Sequence, residues 1–422
     1  QNFSASFSKK LNRELSEIKI KKLPEIKEKE KSFYIKNLSL LPKLNHKGSE
    51  RPMIDDIDFV DNVSHITPIK SNVFSANSKI GKLEKDGKVY FVKYTKDDEN
   101  SNQIYNEVRY INKLCEASNR CRHPSFVSTN YEFVGYDWLD WKNLAELYIN
   151  TSGIEDKLVE IEKKRASEKL DIVTSKTEFT EDFKNAAIND LYYKRVISDR
   201  IFKFYKHKRF FINEKQWLYF EDLLASNIYI NGIQIPSIPN VIKDAQKFLS
   251  PEYLEQHKLL FLHNDSHIGN IMVDRDIQEY INIDYEFAGL GTIEQSFAKE
   301  LFIDLFGFRT LYSPYYSMSR EITIEGYREG NNIVLNFSNN FTDLEDKLCR
   351  IKVDNLKDTL SVLGVQDPNM SNNILSSAFF VSSLLGRNIT ELNRPFSTYN
   401  LAISLYYSHL LKYEGINAFV GN

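Results

Sequence analysis

Between Leu262 and Gly291 runs LHNDSHIGNIMVDRDIQEYINIDYEFAGLG, which sets His263, Asp265, His267, Asn270, Asp284 and Glu286 around a short apolar hairpin. NIMV and EYINID read as two apolar strands, with DRDIQ as the turn between them. Asn270 and Asp284 are equidistant from Ile277, close to the turn centre. Hairpin pairing therefore places them nearly opposite each other, at a Cα separation of about 5 Å. An amide oxygen and a carboxylate converging there make a magnesium site. Magnesium prefers oxygen ligands and is held by a few protein groups plus substrate phosphates. Asp265, upstream in the loop, is placed to meet an acceptor hydroxyl. Asp265, Asn270 and Asp284 together supply a base or positioning group and two metal ligands, the parts that phosphoryl transfer from a nucleoside triphosphate needs. The plainer reading is a turn-rich hairpin with surface carboxylates, since Asp and Asn are common near turns. Against it, Asp284 ends an apolar strand. His263 and His267 stand at i, i+4, but in a loop, and no C-x-x-C or further histidine spacing supports zinc.

A triphosphate needs a second set of groups. A lysine on a strand neutralises the phosphates, and a helix carboxylate holds that lysine. VYFVKY supplies Lys93 in an apolar strand, where a lysine is costly unless paired or functional. Glu107 follows near the apolar stripe Ile104, Val108, Ile111 and Cys115 of the segment 100–117, whose spacing is helical. Glu99 competes with it from a polar stretch before the stripe. No G-x-G-x-x-G precedes Lys93. KSNVFSANSK stands there instead, and Ser71, Asn72, Ser75, Asn77 and Ser78 are candidates to meet phosphate through hydroxyls and backbone N–H groups.

These residues need a scaffold. Residues 1–64 read as a helical extension, Lys- and Glu-rich over most of its length with a solvated face. Residues 65–141 read as a small β-rich lobe: strands separated by turns, KDGK as a hairpin turn, one helix, then a strand from Phe126. Residues 142–422 read as a larger helical lobe carrying one central hairpin at 259–291. Residues 142–250 are mainly helical, and the chain is helix-rich again after 292. The fold class is α+β and bilobal.

Composition agrees with a packed globular protein. Hydrophobic residues make up 42% and aromatic residues 13% of 422. A net charge of −3 gives no global argument for nucleic acid or membrane. No apolar run reaches the roughly 18 residues of a spanning helix, and no apolar secretory signal region opens the chain. Three cysteines, Cys115, Cys121 and Cys349, fit a reducing compartment and a cytoplasmic location.

With the residues in view, HNDSHIGNIMVD followed by INIDYEFAGLG resembles the aminoglycoside phosphotransferase and choline kinase group of the protein-kinase-like fold. That group has an H-x-D-x-H-x-x-N loop and an apolar-D-x-E/D strand end. The resemblance implies that 65–141 and 142–422 are kinase-like N- and C-lobes. It implies ATP and Mg²⁺ (or Mn²⁺), Asp265 as the catalytic aspartate, and Asn270 and Asp284 as metal ligands. Glu286 assists with metal or water, His263 organises the loop and His267 supports it. A weaker likeness, DSHIGNIMVDRD, is to phosphoinositide kinases, but EFAGLG lacks their basic activation segment. The specific resemblance covers about 30 residues, with weaker support over 70–116. The absent glycine loop departs from it. So does TIEQSFAKELF, whose glutamates give no clear alignment with the acidic residue that often follows in the small-molecule enzymes.

The expected activity is ATP- and Mg-dependent transfer of the γ-phosphate to an acceptor hydroxyl. The acceptor stays open between a small-molecule alcohol, a protein side chain and an inositol lipid. AMP transfer and a nucleotide-binding pseudokinase are the alternatives. The Lys/Asn/Ile-rich composition suits an effector kinase delivered into a host cell. One further motif, RIFKFYKHKRFFI, gathers Lys203, Lys206, His207, Lys208 and Arg209. On a helix, 203, 206 and 207 share a face and Arg209 lies away from it. The alternatives are a solvated face, with Phe204 and Phe211 turned inward, and an anion site for a polyanion such as an inositol phosphate.

Overall fold

The computed structural model describes residues 66–69, 79–85, 87–94, 98–117, 120–127, 133–148, 151–174, 182–213, 216–311, 322–339, 341–391 and 394–419. The extension expected over 1–64 and the polar loop holding Ser71, Asn72, Ser75, Asn77 and Ser78 lie outside the described residues.

The N-terminal part is one antiparallel sheet of β1 (Thr67–Pro68), β2 (Lys79–Lys85), β3 (Lys88–Tyr94), β4 (Phe126–Val127) and β5 (Phe133–Asp137), in the order β1-β2-β3-β5-β4. Gly87, at φ 73°, closes the β2–β3 turn in a conformation glycine adopts without strain. Successive side chains of β3 alternate faces. Val92 packs with Leu83, Phe126 and Phe133 on one face. Phe91 and Lys93 point to the other, beside their β5 partners Tyr136 and Val134. There the sheet meets α1 (Asp98–Ala117), which buries Ile104, Glu107, Tyr110, Ile111 and Leu114 at helical spacing. The same apolar cluster takes in Phe261, Tyr285 and Ala288 of the C-terminal part. Each fully buried apolar side chain of this kind stabilises by about 1.5–3 kcal/mol, so α1 ties the sheet firmly to the segment 260–291.

The chain leaves the sheet at Asp137 and enters β6 (Lys142–Asn143). The helical part is built on α2 (Glu155–Thr174), α3 (Tyr193–Ile197), α4 (Arg200–Tyr205), α5 (Ile238–Phe248), α6 (Ile293–Phe302), α7 (Asp343–Val362), α8 (Pro368–Leu384) and α9 (Arg394–Glu414). α8 packs on α5, α6 and α9, and α2 on α7. α6 starts with a capping box from Thr292 and Gln295, α7 with one from Thr342 and Glu345.

This part holds more sheet than the sequence reading gave it. β7 (Arg209–Phe211) pairs with β8 (Trp217–Tyr219). β9 (Asn227–Ile230), β10 (Ile233–Ile235), β15 (Ile322–Glu329) and β16 (Asn332–Asn339) form a second sheet in the order β10-β9-β16-β15. Here β9 and β16, which flank the segment 260–291 in sequence, lie side by side and parallel. That pairing is long-range, and local patterning does not reveal it.

The segment 260–291 is closed at its base. β11 (Leu260–Leu262) pairs antiparallel with β14 (Gly289–Gly291), so residues 262–289 form one loop with fixed ends. Inside it, β12 (Ile271–Val273) pairs with β13 (Tyr280–Asn282) and with β6. A Cβ on Gly291 would lie 2.5 Å from Oδ1 of Asn264, so only glycine lets these two segments approach.

Candidate active site

Lys93 sits at the centre of the polar side chains. Its Nζ lies 2.6 Å from Oε2 of Glu107 and 2.6 Å from Oδ1 of Asp284. Tyr136 donates its hydroxyl to Glu107. Burial alone would lower the lysine's pKa, but Asp284 and Glu107 outweigh it and hold the ammonium charged, well above the ordinary lysine range. Burial also pushes Asp284 upward, and Lys93 more than reverses this. Glu107 remains raised by burial, with Lys93 pulling the other way.

Lys93, Glu107, Asn270 and Asp284 line one cavity of about 290 Å³. Its apolar walls come from both parts, Ile80 and Phe91 from the sheet and Met272 and Ile283 from the hairpin, and Asn143 and Glu146 add polar groups. Arg122, over the rings of Phe91 and Tyr136, completes the rim.

The expected register of the hairpin is one residue off. Ile271 faces Asn282, and the N–H of Ile283 donates to the carbonyl of Asn270 at 2.9 Å, so Asn270 stands opposite Ile283 and not Asp284. The turn adopts a left-handed residue at Ile277, φ 56°, which moves its centre off that residue. Asp284 lies past the last strand residue, Asn282, with φ 67°. That conformation is strained for a non-glycine residue and swings the side chain out of strand alternation, onto Lys93.

Asn270 donates from Nδ2 to the carbonyl of Asp265 at 2.9 Å, which leaves its amide oxygen for a ligand. Asp284 uses Oδ1 on Lys93, which leaves Oδ2. Two protein oxygens completed by phosphate and water are what magnesium takes, so the residues fit that ion. Glu286 is buried in the same region, and burial, then the Asp284 charge, push its pKa up to about 8.

Both histidines are locked in one tautomer. Nδ1 of His263 accepts from the N–H of Asp265 at 3.3 Å, and its Nε2 faces the carbonyl of Ile283 at 3.0 Å. His263 therefore pins the loop to the strand end. Nδ1 of His267 accepts from the N–H of Gly269 at 3.1 Å, and its Nε2 lies 3.5 Å from Oδ1 of Asp265. Burial lowers both pKa values, which keeps the rings neutral and leaves the His267 proton on Nε2, on the side of Asp265 but not aligned with its carboxylate. Oδ1 of Asp265 has no aligned hydrogen-bond donor, although His267 and Lys299 stand beside it.

Lys299, on α6, is in ion-pair contact with Asp265 and escaped the sequence reading. The signal was a lysine in a helix whose other residues are all buried. A second missed feature lies beneath the loop. Arg165, Lys169 and Lys352 meet Glu162, Glu300 and Asp304 in a buried cluster of three cations and three carboxylates. It holds the loop at two points. Nη2 of Arg165 donates to the carbonyl of Ser266 at 2.6 Å, and Oδ1 of Asp304 accepts from the N–H of Ile268 at 2.9 Å. Asp304 sits in the π-helical turn Ile303–Gly307 that follows α6.

The basic motif does not form one helix face. α4 ends at Tyr205, His207 turns the chain at φ 59°, and Arg209 begins β7. The residues turned inward are Ile201, Tyr205 and Phe210; Phe204 and Phe211 are only partly buried. After the turn the apolar period becomes two, which is why the helical reading fails there. Lys203 pairs with Asp199 at 3.0 Å, His207 lies 3.1 Å from Glu221, and Arg209 stacks 4.0 Å from the Trp217 ring centre. Lys206 and Lys208 flank the turn. Lys203, Lys206 and His207 therefore do not share the face expected of them.

The chain thus combines a β-rich N-terminal part, a lysine–glutamate pair from strand to helix, and a closed loop with its hairpin in a helical C-terminal part. No family model matches the sequence, and no curated protein matches it. Among solved structures the chain is similar to an ethanolamine kinase of Plasmodium vivax, at 11% identity over 85% of this chain and 86% of that one, TM-score 0.43. It is similar to a thermostable mutant of an aminoglycoside phosphotransferase at 9% identity, covering 87% and 98%, TM-score 0.40. It is also similar to the choline kinase LicA of Streptococcus pneumoniae at 13% identity, covering 77% and 97%, TM-score 0.34.

Proposed function

We propose that the protein is an ATP-dependent phosphotransferase that moves the γ-phosphoryl group to an acceptor hydroxyl. The observation that carries this is Lys93, paired at 2.6 Å with both Glu107 and Asp284 on the wall of a cavity that also includes Asn270. The apolar walls from both parts suit a nucleotide base. Lys93 neutralises phosphate charge, and Glu107 fixes its position. Asn270 and Asp284 would hold a magnesium ion, with Glu286 assisting. The ion would supply charge neutralisation on the phosphates. Asp265 orients the acceptor hydroxyl and accepts its proton. A bond forms from the acceptor oxygen to the γ-phosphorus, the bond to the β,γ-bridging oxygen breaks, and ADP leaves. Positioning and charge stabilisation account for most of the rate.

The test is incubation of wild type and Asp265→Ala with γ-labelled or α-labelled ATP, Mg²⁺ or Mn²⁺, and a mixed lysate. Transfer of the γ label by wild type alone is the expected result, and the labelled fraction identifies the acceptor as protein, lipid or small molecule. Transfer of the α label makes the reaction AMP transfer. Nucleotide bound with neither label transferred favours a pseudokinase or an acceptor missing from the lysate.

A further inference from the structure

A hairpin with one solvated face ordinarily turns its apolar residues inward and its polar residues outward. The β7–β8 hairpin breaks this rule on its outer face. Arg209 pairs with Tyr219, Phe210 with Leu218 and Phe211 with Trp217. Phe210 and Leu218 are buried, and β7 packs on α9. Alternation then leaves Arg209, Phe211, Trp217 and Tyr219 on the outer face, three of them aromatic. Trp217 is 39% and Tyr219 36% exposed, and Phe211 is partly covered. Arg209 lies 4.0 Å from the ring centre of Trp217 and 5.6 Å from that of Tyr219. The face is anchored from two sides. Thr398 on α9 donates its hydroxyl to the carbonyl of Phe211 at 2.6 Å, and Asn213 donates from Nδ2 to the carbonyl of Gly326 on β15 at 2.8 Å.

The charges beside this face are one-sided. Lys208 adjoins Arg209 in the chain, and Lys206 precedes it across the left-handed turn at His207. Among the described residues Lys206, Lys208 and Arg209 have no carboxylate partner. The neighbouring carboxylates are already engaged. Glu221 accepts from the N–H of His207 at 2.9 Å and lies 3.1 Å from Nδ1 of its ring. Asp222 accepts from the N–H of Tyr219 at 3.0 Å and lies 3.7 Å from Arg328, and Asp199 pairs with Lys203 at 3.0 Å. A chain of net charge −3 thus carries three unmatched cations beside an exposed aromatic face.

The surface complementary to this is anionic and amphipathic. Trp and Tyr join an apolar ring to a polar tip and settle where hydrocarbon meets headgroups. Lys and Arg carry their charge on long stems that reach the headgroups, and an anionic leaflet attracts them. A nucleic-acid strand would need open ring faces to stack on. Trp217 and Tyr219 instead stand edge to face at 81°, with Arg209 over Trp217. We propose that the β7–β8 hairpin docks the protein on a bilayer surface carrying anionic phospholipid. Trp217 and Tyr219 enter the headgroup boundary, and Lys206, Lys208 and Arg209 meet headgroup phosphates and carboxylates. The hairpin shares no residue with the cavity around Lys93, so docking stands apart from the proposed phosphoryl transfer.

The experiment is co-sedimentation of the full chain with vesicles of phosphatidylcholine alone and of phosphatidylcholine mixed with phosphatidylserine, beside a titration with single-stranded RNA. Wild type is expected to sediment with the mixed vesicles and to leave the neutral ones free. Lys206→Ala combined with Lys208→Ala should weaken binding by about thirtyfold, roughly fivefold for each cation. Trp217→Ala should weaken it on the order of tenfold and remove the part that survives raised salt, since apolar burial is not screened. Urea midpoints equal to that of wild type show that the variants are folded. Should Trp217→Ala fail to fold, the lysine variant decides. Sedimentation with neither vesicle, equal binding to both, a lysine variant that binds as wild type does, or binding to RNA with the vesicles left free overturns the proposal.

Discussion

Arg165, buried on α2, donates from Nη2 to the backbone carbonyl of Ser266, the residue next to Asp265, at 2.6 Å. The guanidinium is held in turn by Glu162 at 2.6 Å and Glu300 at 3.3 Å. Lys352, from α7, closes the cluster on Glu162, Glu300 and Asp304. Burial would raise the Glu300 pKa, but Lys169, Lys352 and Arg165 hold it well below the usual carboxylate range. Such a cluster is weak evidence for net stability, yet removing one member leaves a buried charge unmatched. Arg165→Met and Lys352→Met should each cost about 3–5 kcal/mol in urea unfolding. Arg165→Met also frees the Ser266 carbonyl, so its surviving folded fraction should turn over more slowly. An unchanged unfolding midpoint in both variants would show that the cluster is not charged as drawn.

Asp265 and Asp284 lie 19 residues apart in one closed loop and are proposed for different tasks. Asp265→Asn should lower kcat on the order of 10²–10⁴-fold, the range of general acid–base contributions, with Mg-ATP affinity retained. Asp284→Asn removes a charge from both Lys93 and the metal position, so Mg-ATP affinity should fall on the order of tenfold or more. Nucleotide titration of the two variants separates them. Normal Mg-ATP affinity in Asp284→Asn would make the metal assignment wrong.

How far the sequence went follows from where each constraint lies. Lys93 stood out as a lysine inside an apolar strand, and Glu107 as a carboxylate on an apolar helical stripe; both are local patterns. The hairpin was legible too, but not its register. Counting symmetrically about Ile277 assumes an ideal turn, and the left-handed residues Ile277 and Asp284 break that symmetry. The buried cluster was hidden in EDKLVEIEKKRASEKLD, a run that reads as solvated. Continuing the Leu158–Ile161 stripe at helical spacing lands on Glu162 and Arg165, both buried. Nothing local identifies their partners, because Glu300, Asp304 and Lys352 come from helices more than 130 residues away.

Lys299 makes the most direct contact with Asp265 of any cation in the described residues. In the proposed reaction an ammonium there would stabilise charge developing on the transferred phosphoryl group. Lys299→Met should lower kcat by about 10²–10³-fold, the loss seen when one stabilising donor is removed, with nucleotide affinity retained. Lys299→Arg, which keeps the charge, should recover part of the rate. If steady-state kinetics show kcat unaffected by the methionine, the contact serves the fold alone.

His257 offers a pH test away from the metal position. Its Nε2 lies 2.8 Å from Oε1 of Glu294 on α6, a buried carboxylate that also accepts from the Ser371 hydroxyl at 2.6 Å. Burial alone lowers the His257 pKa. The Glu294 hydrogen bond and charge, with a smaller contribution from Asp367, outweigh it and raise the value above 6.5. The native state therefore keeps a proton that the unfolded chain releases. The stabilisation is complete below about pH 6.5 and is lost as pH rises through the folded value. Urea midpoints of wild type should fall with rising pH across this window, and His257→Gln should flatten that dependence. Equal slopes in the two proteins would mean that the proton on His257 contributes nothing to the packing of α6.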